Sequence, residues 1–87
     1  MRAPKNRIQH RIKIIQGQLK GLEKMVDDNK YCMDVLTLSL SIQRALKELD
    51  NLILEDHIKT CVVEDVKGGK IDKVSDELVR LFSVAKK

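Results

Sequence analysis

The chain has 87 residues, of which 43% are hydrophobic and only 2% aromatic, and its formal net charge is +4 at pH 7. This length suits a single domain over residues 1–87 with a marginal core, so we expect an oligomer to bury additional apolar surface. No apolar run has membrane-spanning length and the basic start lacks a signal-peptide pattern, which together predict a cytoplasmic protein with no membrane partner. In that compartment, a structural disulfide between Cys32 and Cys61 is not expected.

The first predicted element is a helix with an apolar stripe along one side. The stripe residues recur at intervals of four and three: Ile8, Ile12, Ile15, Leu19, Leu22 and Val26. This spacing is typical of an amphipathic helix. Residues 1–24 hold seven Lys or Arg residues and one acid, a net +6. Such a basic segment is commonly a solvated helix face, but it also fits a surface that contacts phosphates.

The second predicted element is a very long helix. The polar cluster "DDNK" at 27–30 predicts the end of the first helix and offers N-cap residues for the next. Since neither glycine nor proline occurs between Leu22 and Lys67, we predict one helix from about residue 30 to residue 62. Its stripe contains Cys32, Val35 or Leu36, Ser39, Ile42, Leu46, Leu49 and Ile53. The leucines outside this stripe indicate that the helix contacts more than its hairpin partner.

A third, short helix follows the turn "VKGGK" at 66–70 and is marked by Ile71, Val74, Leu78 and Leu81. The predicted fold is therefore all-α. A long antiparallel hairpin of the first two helices carries the short third helix. We expect the chains to assemble through the middle helix.

Two soft metal ligands, His57 and Cys61, stand four residues apart and so lie on one side of a helix. Cys32 is 25 residues before His57 and 29 before Cys61. Along an unbroken helix these separations are about 38 and 43 Å, whereas metal–ligand bonds measure about 2.0–2.3 Å. The three side chains can meet if two copies of the helix pack antiparallel. A two-fold axis then creates two equivalent sites.

The chemistry of these ligands leaves two interpretations open. Buried cysteines often serve as small apolar fillers, so the two thiols alone do not establish a site. Two thiolates and one imidazole suit three-coordinate Cu(I), whereas structural zinc normally takes a fourth protein ligand. His10, the other histidine, is interpreted as a surface residue of the basic helix.

Three stretches carry a resemblance to a known family: "HRIKIIQGQLKGLEKMV" (10–26), "YCMDVL" (31–36) and "LEDHIKTCV" (54–62). They resemble the CsoR/RcnR family of small all-helical bacterial metal-responsive repressors, specifically its copper-sensing CsoR branch. The resemblance implies a Cu(I)-responsive transcriptional repressor that forms a dimer of dimers, a homotetramer. In that family the metal-free form binds double-stranded operator DNA, and Cu(I) releases it and derepresses copper-efflux genes.

The resemblance also implies roles for residues outside the ligand set of Cys32, His57 and Cys61. Tyr31 and Glu77 match a tyrosine and a glutamate that engage the non-coordinating side of the ligand histidine. Arg11 matches a DNA-contacting arginine of the first helix. The basic residues we expect at DNA phosphates are Arg7, Arg11, Lys13 and Arg44.

This chain departs from the family pattern at three positions. Ile14 stands where the family often has a second arginine of the first helix, and Leu38 stands where it frequently has a glutamine. Glu48 stands where some members have an arginine that supports DNA binding. These departures leave the ligand set intact and affect the details of operator recognition.

Three other functions are weighed against the copper repressor. A thiol- or persulfide-sensing repressor would cross-link Cys32 to the partner subunit's Cys61. A copper chaperone would have no use for the basic first helix. An enzyme is not expected, since no phosphate-binding loop or oxyanion motif accompanies His57, Cys61 and Glu77.

Overall fold

A computed structural model of the chain describes residues 4–86. In chain order its elements are α1 (Lys5–Asp27), α2 (Cys32–His57), a π-helical turn (Ile58–Val62), α3 (Val63–Lys67) and α4 (Ile71–Ala85). Within residues 4–86 there is no strand, and the predicted all-α fold is confirmed. None of the described helices combines the length and apolarity needed to cross a membrane.

The turn between α1 and α2 uses the polar cluster differently from the prediction. Asn29 adopts a left-handed φ of 55°, and the Lys30 amide donates to the Met25 carbonyl at 2.9 Å. This pattern closes the C-terminus of α1 by satisfying its free carbonyls. The N-cap of α2 is Tyr31, with no side-chain capping bond. The prediction that this cluster caps α2 was therefore wrong.

The second predicted turn is confirmed at residues 68–70. Gly69 has a φ of 79°, a conformation that costs glycine no steric penalty. The Lys70 amide donates to the Asp65 carbonyl at 2.7 Å. The same C-terminal motif thus ends both α1 and α3, and it lets α4 leave α3 in a new direction.

A narrow apolar seam holds α1 against α2. The buried side chains of this seam are Ile8, Ile15, Ile42 and Leu49. Each helix contributes two of these residues, which are seven residues or about two helical turns apart and so lie on one side of that helix. The other stripe residues are less covered. Ile12 is 39% exposed and Leu46 is 43% exposed.

The chain is a thin plate rather than a sphere. Its extents are 56 × 29 × 13 Å and its radius of gyration is 17.2 Å, whereas a compact domain of this length would have a radius of about 12 Å. A thickness of 13 Å corresponds to a single layer of helices, each about 10–12 Å across. Large apolar side chains, among them Leu36, Leu40 and Phe82, are more than half exposed. Exposed apolar surface of this extent is typical of a face that contacts another molecule.

The middle helix continues through the π-helical turn. The backbone stays right-handed helical at His57, Ile58, Val62 and Val63, so the helical path from residue 32 to residue 67 has no break. This confirms the prediction of a long, unbroken middle helix. The hydroxyl of Thr60 donates to the Asp56 carbonyl at 2.8 Å. Thr37 and Ser41 make the same kind of bond within the regular part of α2, so this bond alone does not account for the wider turn.

Candidate metal centre and nucleic-acid interface

His57, the last residue of α2, contacts α4 through Glu77. Its Nε2 atom lies 3.4 Å from Oε2 of Glu77, and the two side chains are 38% and 42% exposed. When the proton is on Nε2, the ring donates to the carboxylate, and Nδ1 keeps a lone pair for a metal ion. The structure therefore brings together His57 and Glu77 as the resemblance implies, and it links this histidine to α4.

Cys61 lies one turn further along, inside the π-helical turn. Its thiol is free and half-buried, and its Sγ atom is 3.6 Å from Oγ1 of Thr60. A separation of four residues keeps Cys61 on the same side of the middle helix as His57. His57 and Cys61 thus lie on one side of the C-terminal end of the middle helix, where His57 also contacts Glu77.

Cys32 lies at the opposite end of the same helix. It is the first residue of α2 and His57 is the last, which separates their backbones by about 38 Å along the axis. The Cys32 thiol is free and exposed, and the neighbouring Tyr31 is 69% exposed. Among residues 4–86 of one chain, no three His, Cys, Asp or Glu side chains are grouped so as to hold a metal ion.

The donors nevertheless fit a soft metal ion when two chains contribute. Each chain presents an exposed thiol at one end of α2, and a half-buried thiol with an imidazole at the other. Two sulfurs and one nitrogen are the donors that thiophilic metals prefer. A complete set can form where these two ends meet.

Several side chains attach helix α4 to the rest of the chain. Val74 is buried, Leu78 is half-buried, and the Lys73 ammonium lies 3.4 Å from Oδ2 of Asp65 on α3. The His57–Glu77 contact is a further attachment. These two polar contacts are partly exposed and so contribute little to stability.

The predicted DNA-binding residues divide between two sides of the hairpin. Nη1 of Arg11 lies 3.9 Å from Oε2 of Glu48, and Nε of Arg44 lies 3.5 Å from Oε1 of the same carboxylate. Arg7, four residues before Arg11, lies on the same side of α1. Lys13 lies about 200° around α1 from Arg11, so the structure does not place it with the arginines.

Two features of these sites were missed from the sequence. The π-helical turn can be connected with the β-branched residues Ile58, Thr60 and Val62, which crowd a regular helix. Glu48 was recognised only as a departure from the family pattern. The spacing of four residues between Arg44 and Glu48 was the signal for their ion pair.

The family model described as "Metal-sensitive transcriptional repressor" matches residues 4–83. The chain belongs to this family. Its members are transcriptional regulators, which confirms that the protein is not an enzyme.

Relatives within the family are named for copper. The chain is 36% identical over 78 residues to the copper-sensing transcriptional repressor CsoR of Bacillus subtilis, covering 90% of this chain and 77% of that protein. It is 31% identical over 77 residues to the copper-sensing transcriptional repressor RicR of Mycobacterium tuberculosis, with 82% and 80% covered.

A solved structure shows the same fold. The crystal structure of the copper-sensing repressor CsoR with Cu(I) from Geobacillus thermodenitrificans matches with a TM-score of 0.92 and 34% identity. The match covers 100% of this chain and 93% of that chain. The metal-sensitive repressor fold is therefore present over the whole chain.

Proposed function

We propose that this protein is a cytoplasmic Cu(I)-responsive transcriptional repressor. Its metal-free form binds double-stranded operator DNA, and Cu(I) binding lowers that affinity and derepresses copper-efflux genes. The observation that carries the proposal is the position of the donors at opposite ends of α2, in a chain that belongs to the metal-sensitive repressors. The names of the relatives favour copper over persulfide as the signal.

The proposed Cu(I) site is shared between two subunits packed antiparallel. Cys32 of one chain would bind together with the partner's His57 and Cys61. Bound there, Cu(I) supplies bonds that tie the N-terminal end of one middle helix to the C-terminal end of the other. The symmetry of the dimer gives two such sites, and Tyr31 then lies close to the histidine of the partner subunit.

Glu77 is proposed to transmit the state of His57 to α4. Its carboxylate lies 3.4 Å from Nε2, where it fixes the ring with Nδ1 directed at the metal site. A change in the orientation of His57 on metal binding therefore changes the position of α4 through Glu77. If this arrangement is more stable in the DNA-free conformation, metal binding and DNA binding oppose each other by linkage.

A homotetramer, as a dimer of dimers, is proposed to form the DNA-binding particle. The exposed apolar residues of α2 and α4, such as Leu40 and Phe82, supply the surface that further copies would cover. Repetition of the chain also repeats the arginines on the hairpin, which extends the area that can contact phosphates.

The test combines DNA binding with metal titration. Reduced, metal-free protein is used to select an operator duplex from genomic fragments, and its affinity is measured by fluorescence anisotropy with and without Cu(I). We expect Cu(I) to weaken binding about 5- to 150-fold, the usual range of allosteric coupling. X-ray absorption should then show two sulfurs and one nitrogen. Release by a persulfide donor but not by Cu(I) would contradict the proposal.

A further inference from the structure

One carboxylate occupies the centre of the arginine-bearing side of the hairpin. We define the hairpin face as the surface that carries Arg7 and Arg11 from α1, and Arg44 and Glu48 from α2. Each oxygen of Glu48 faces a different arginine, Oε2 at 3.9 Å from Arg11 and Oε1 at 3.5 Å from Arg44. Glu48 therefore joins the two helices electrostatically across the hairpin face.

These ion pairs are accessible to solvent and to other anions. The exposed fractions of the side chains are 40% for Arg11, 54% for Glu48 and 83% for Arg44. Exposed pairs of this kind are weak. A DNA phosphate is the same kind of acceptor for a guanidinium group as a carboxylate. Phosphates and Glu48 are thus alternative partners for the same two arginines.

Glu48 also has an effect that does not depend on its pairing. A phosphate that reaches Arg11 or Arg44 must approach the negative charge of the carboxylate between them, and like charges at such short range repel. Both effects act in the same direction, because each makes the hairpin face a poorer phosphate-binding surface than its arginines alone would make it.

We propose that Glu48 competes with operator phosphates for Arg11 and Arg44, and thereby sets the DNA affinity of the metal-free repressor below the level its arginines could reach. This inference rests on the proposed DNA-binding function. Its consequence is regulatory, since a weaker complex needs a smaller opposing free energy from the metal to dissociate.

The test is the variant Glu48→Gln, which keeps the shape of the side chain and removes its charge. An exposed ion pair changes an equilibrium by about 1.4- to 5-fold, so the loss of two pairs predicts operator binding about 2- to 25-fold tighter. The control is Asp50→Asn, which removes the same charge two residues along α2, about 200° around the helix. The control is expected to change affinity less than about 2-fold, within the range of exposed charges.

A second arm separates a specific effect from a general change in charge. In a background of Arg11→Ala with Arg44→Ala, Glu48→Gln should tighten binding much less, because both competing arginines are absent and only the direct repulsion between Glu48 and phosphates remains. Circular dichroism and thermal midpoints establish that the variants fold alike. Cu(I) affinity, measured without DNA, should be the same in Glu48→Gln as in the parent.

Several results would overturn the inference. Weaker binding by Glu48→Gln would mean that Glu48 orients the arginines for DNA, and unchanged binding would mean that it does not compete for them. A gain equal to that of Asp50→Asn, or one of the same size without the two arginines, would mean that net charge alone accounts for the effect. Failure of the parent protein to bind any genomic duplex would instead overturn the proposed function itself.

Discussion

The middle helix contacts α1 and α4 through different kinds of interaction. Where α2 meets α1, the contact is the seam of buried side chains that are 4–7% exposed, and each such side chain contributes about 1.5–3 kcal/mol. Where the middle helix meets α4, Val74 is buried and Leu78 is half-buried, and the polar contacts include the partly exposed pairs His57–Glu77 and Lys73–Asp65. Exposed pairs are worth about 0–1 kcal/mol each.

This difference explains how one small chain can be both a scaffold and a sensor. The α1–α2 junction is too stable for a ligand to rearrange, so it keeps the arginines of the hairpin face at fixed positions. The α4 junction lies within the range of a coupling free energy, which is typically about 1–3 kcal/mol. Under the proposed relay, a signal at His57 would change the position of α4 without unfolding the hairpin.

The largest expected effect comes from breaking the seam. Ile42→Ala removes a side chain that is 4% exposed and should lower the free energy of unfolding by about 2–5 kcal/mol, measured by urea denaturation. Ile14→Ala, the same change at a residue of α1 that is 51% exposed, serves as the control and should cost much less. Equal losses would mean that the seam is not the main source of stability.

Next in size is the loss of coupling at the α4 junction. His57→Ala removes the interaction with Glu77, while both thiols remain to bind Cu(I). We expect metal binding to persist and the weakening of operator binding by Cu(I), about 5- to 150-fold in the parent, to be largely abolished. His10→Ala, at the exposed histidine of α1, should respond to Cu(I) as the parent does. An unimpaired copper response in His57→Ala would exclude the path through Glu77.

A smaller effect is expected on the hairpin face. Arg11→Ala should weaken operator binding and reduce the log–log salt slope by about 0.9 for each phosphate that the variant no longer neutralises, with Cu(I) affinity unchanged. Arg80→Ala on α4 removes a cation at another exposed position and should leave the slope unaltered. If the Arg11 variant keeps the parental slope, Arg11 does not bind phosphate.

The smallest expected effect concerns the pair of Glu55 and Lys59, 2.8 Å apart across the start of the π-helical turn. The hydrogen bond from Lys59, with its positive charge, lowers the pKa of Glu55 below its ordinary value of 4.5. The pair therefore adds stability above that value, and the contribution disappears as the pH falls through the lowered pKa. Glu55→Gln should reduce the thermal midpoint slightly at neutral pH and leave it unchanged in strong acid, where the carboxyl is protonated. A larger reduction of the thermal midpoint in acid than at neutral pH would contradict the predicted direction of this pH dependence.

The fold was predictable because its determinants are local. The spacing of Ile8 and Ile15, the polar residues at 27–30 and the glycines at 68–69 each act within one or two helical turns. The sequence did not reveal which stripe residues stay exposed in a single chain, because the spacing is the same for the buried Ile8 and the exposed Ile12. Apolar periodicity does not predict the π-helical turn, and the hydroxyl bond of Thr60 does not distinguish it from Thr37 and Ser41 in α2.

The candidate site was predictable from the sequence only in part. Since the rise of a helix is fixed, the separation of Cys32 from His57 follows from helix length alone, and the structure confirms the helix. The contact between His57 and Glu77 is different, because it joins residues of two helices whose relative position depends on the turn at Gly69. Only the family resemblance pointed to that pair in advance.

The central claim, that each metal site is shared by two subunits, has a direct test by subunit mixing. A Cys32→Ala chain and a Cys61→Ala chain each form homodimers with one cysteine and one histidine at every site, so each alone should bind Cu(I) weakly. In a mixed antiparallel dimer, one site lacks both cysteines and the other is complete.

The decisive measurement is Cu(I) affinity and stoichiometry before and after the two chains exchange, with exchange verified by mass spectrometry of tagged chains. A shared site predicts that mixing restores tight binding at one Cu(I) per mixed dimer. If exchange occurs and binding stays weak, each site is built within one chain. That result would contradict both the shared metal centre and the separation of its donors along α2.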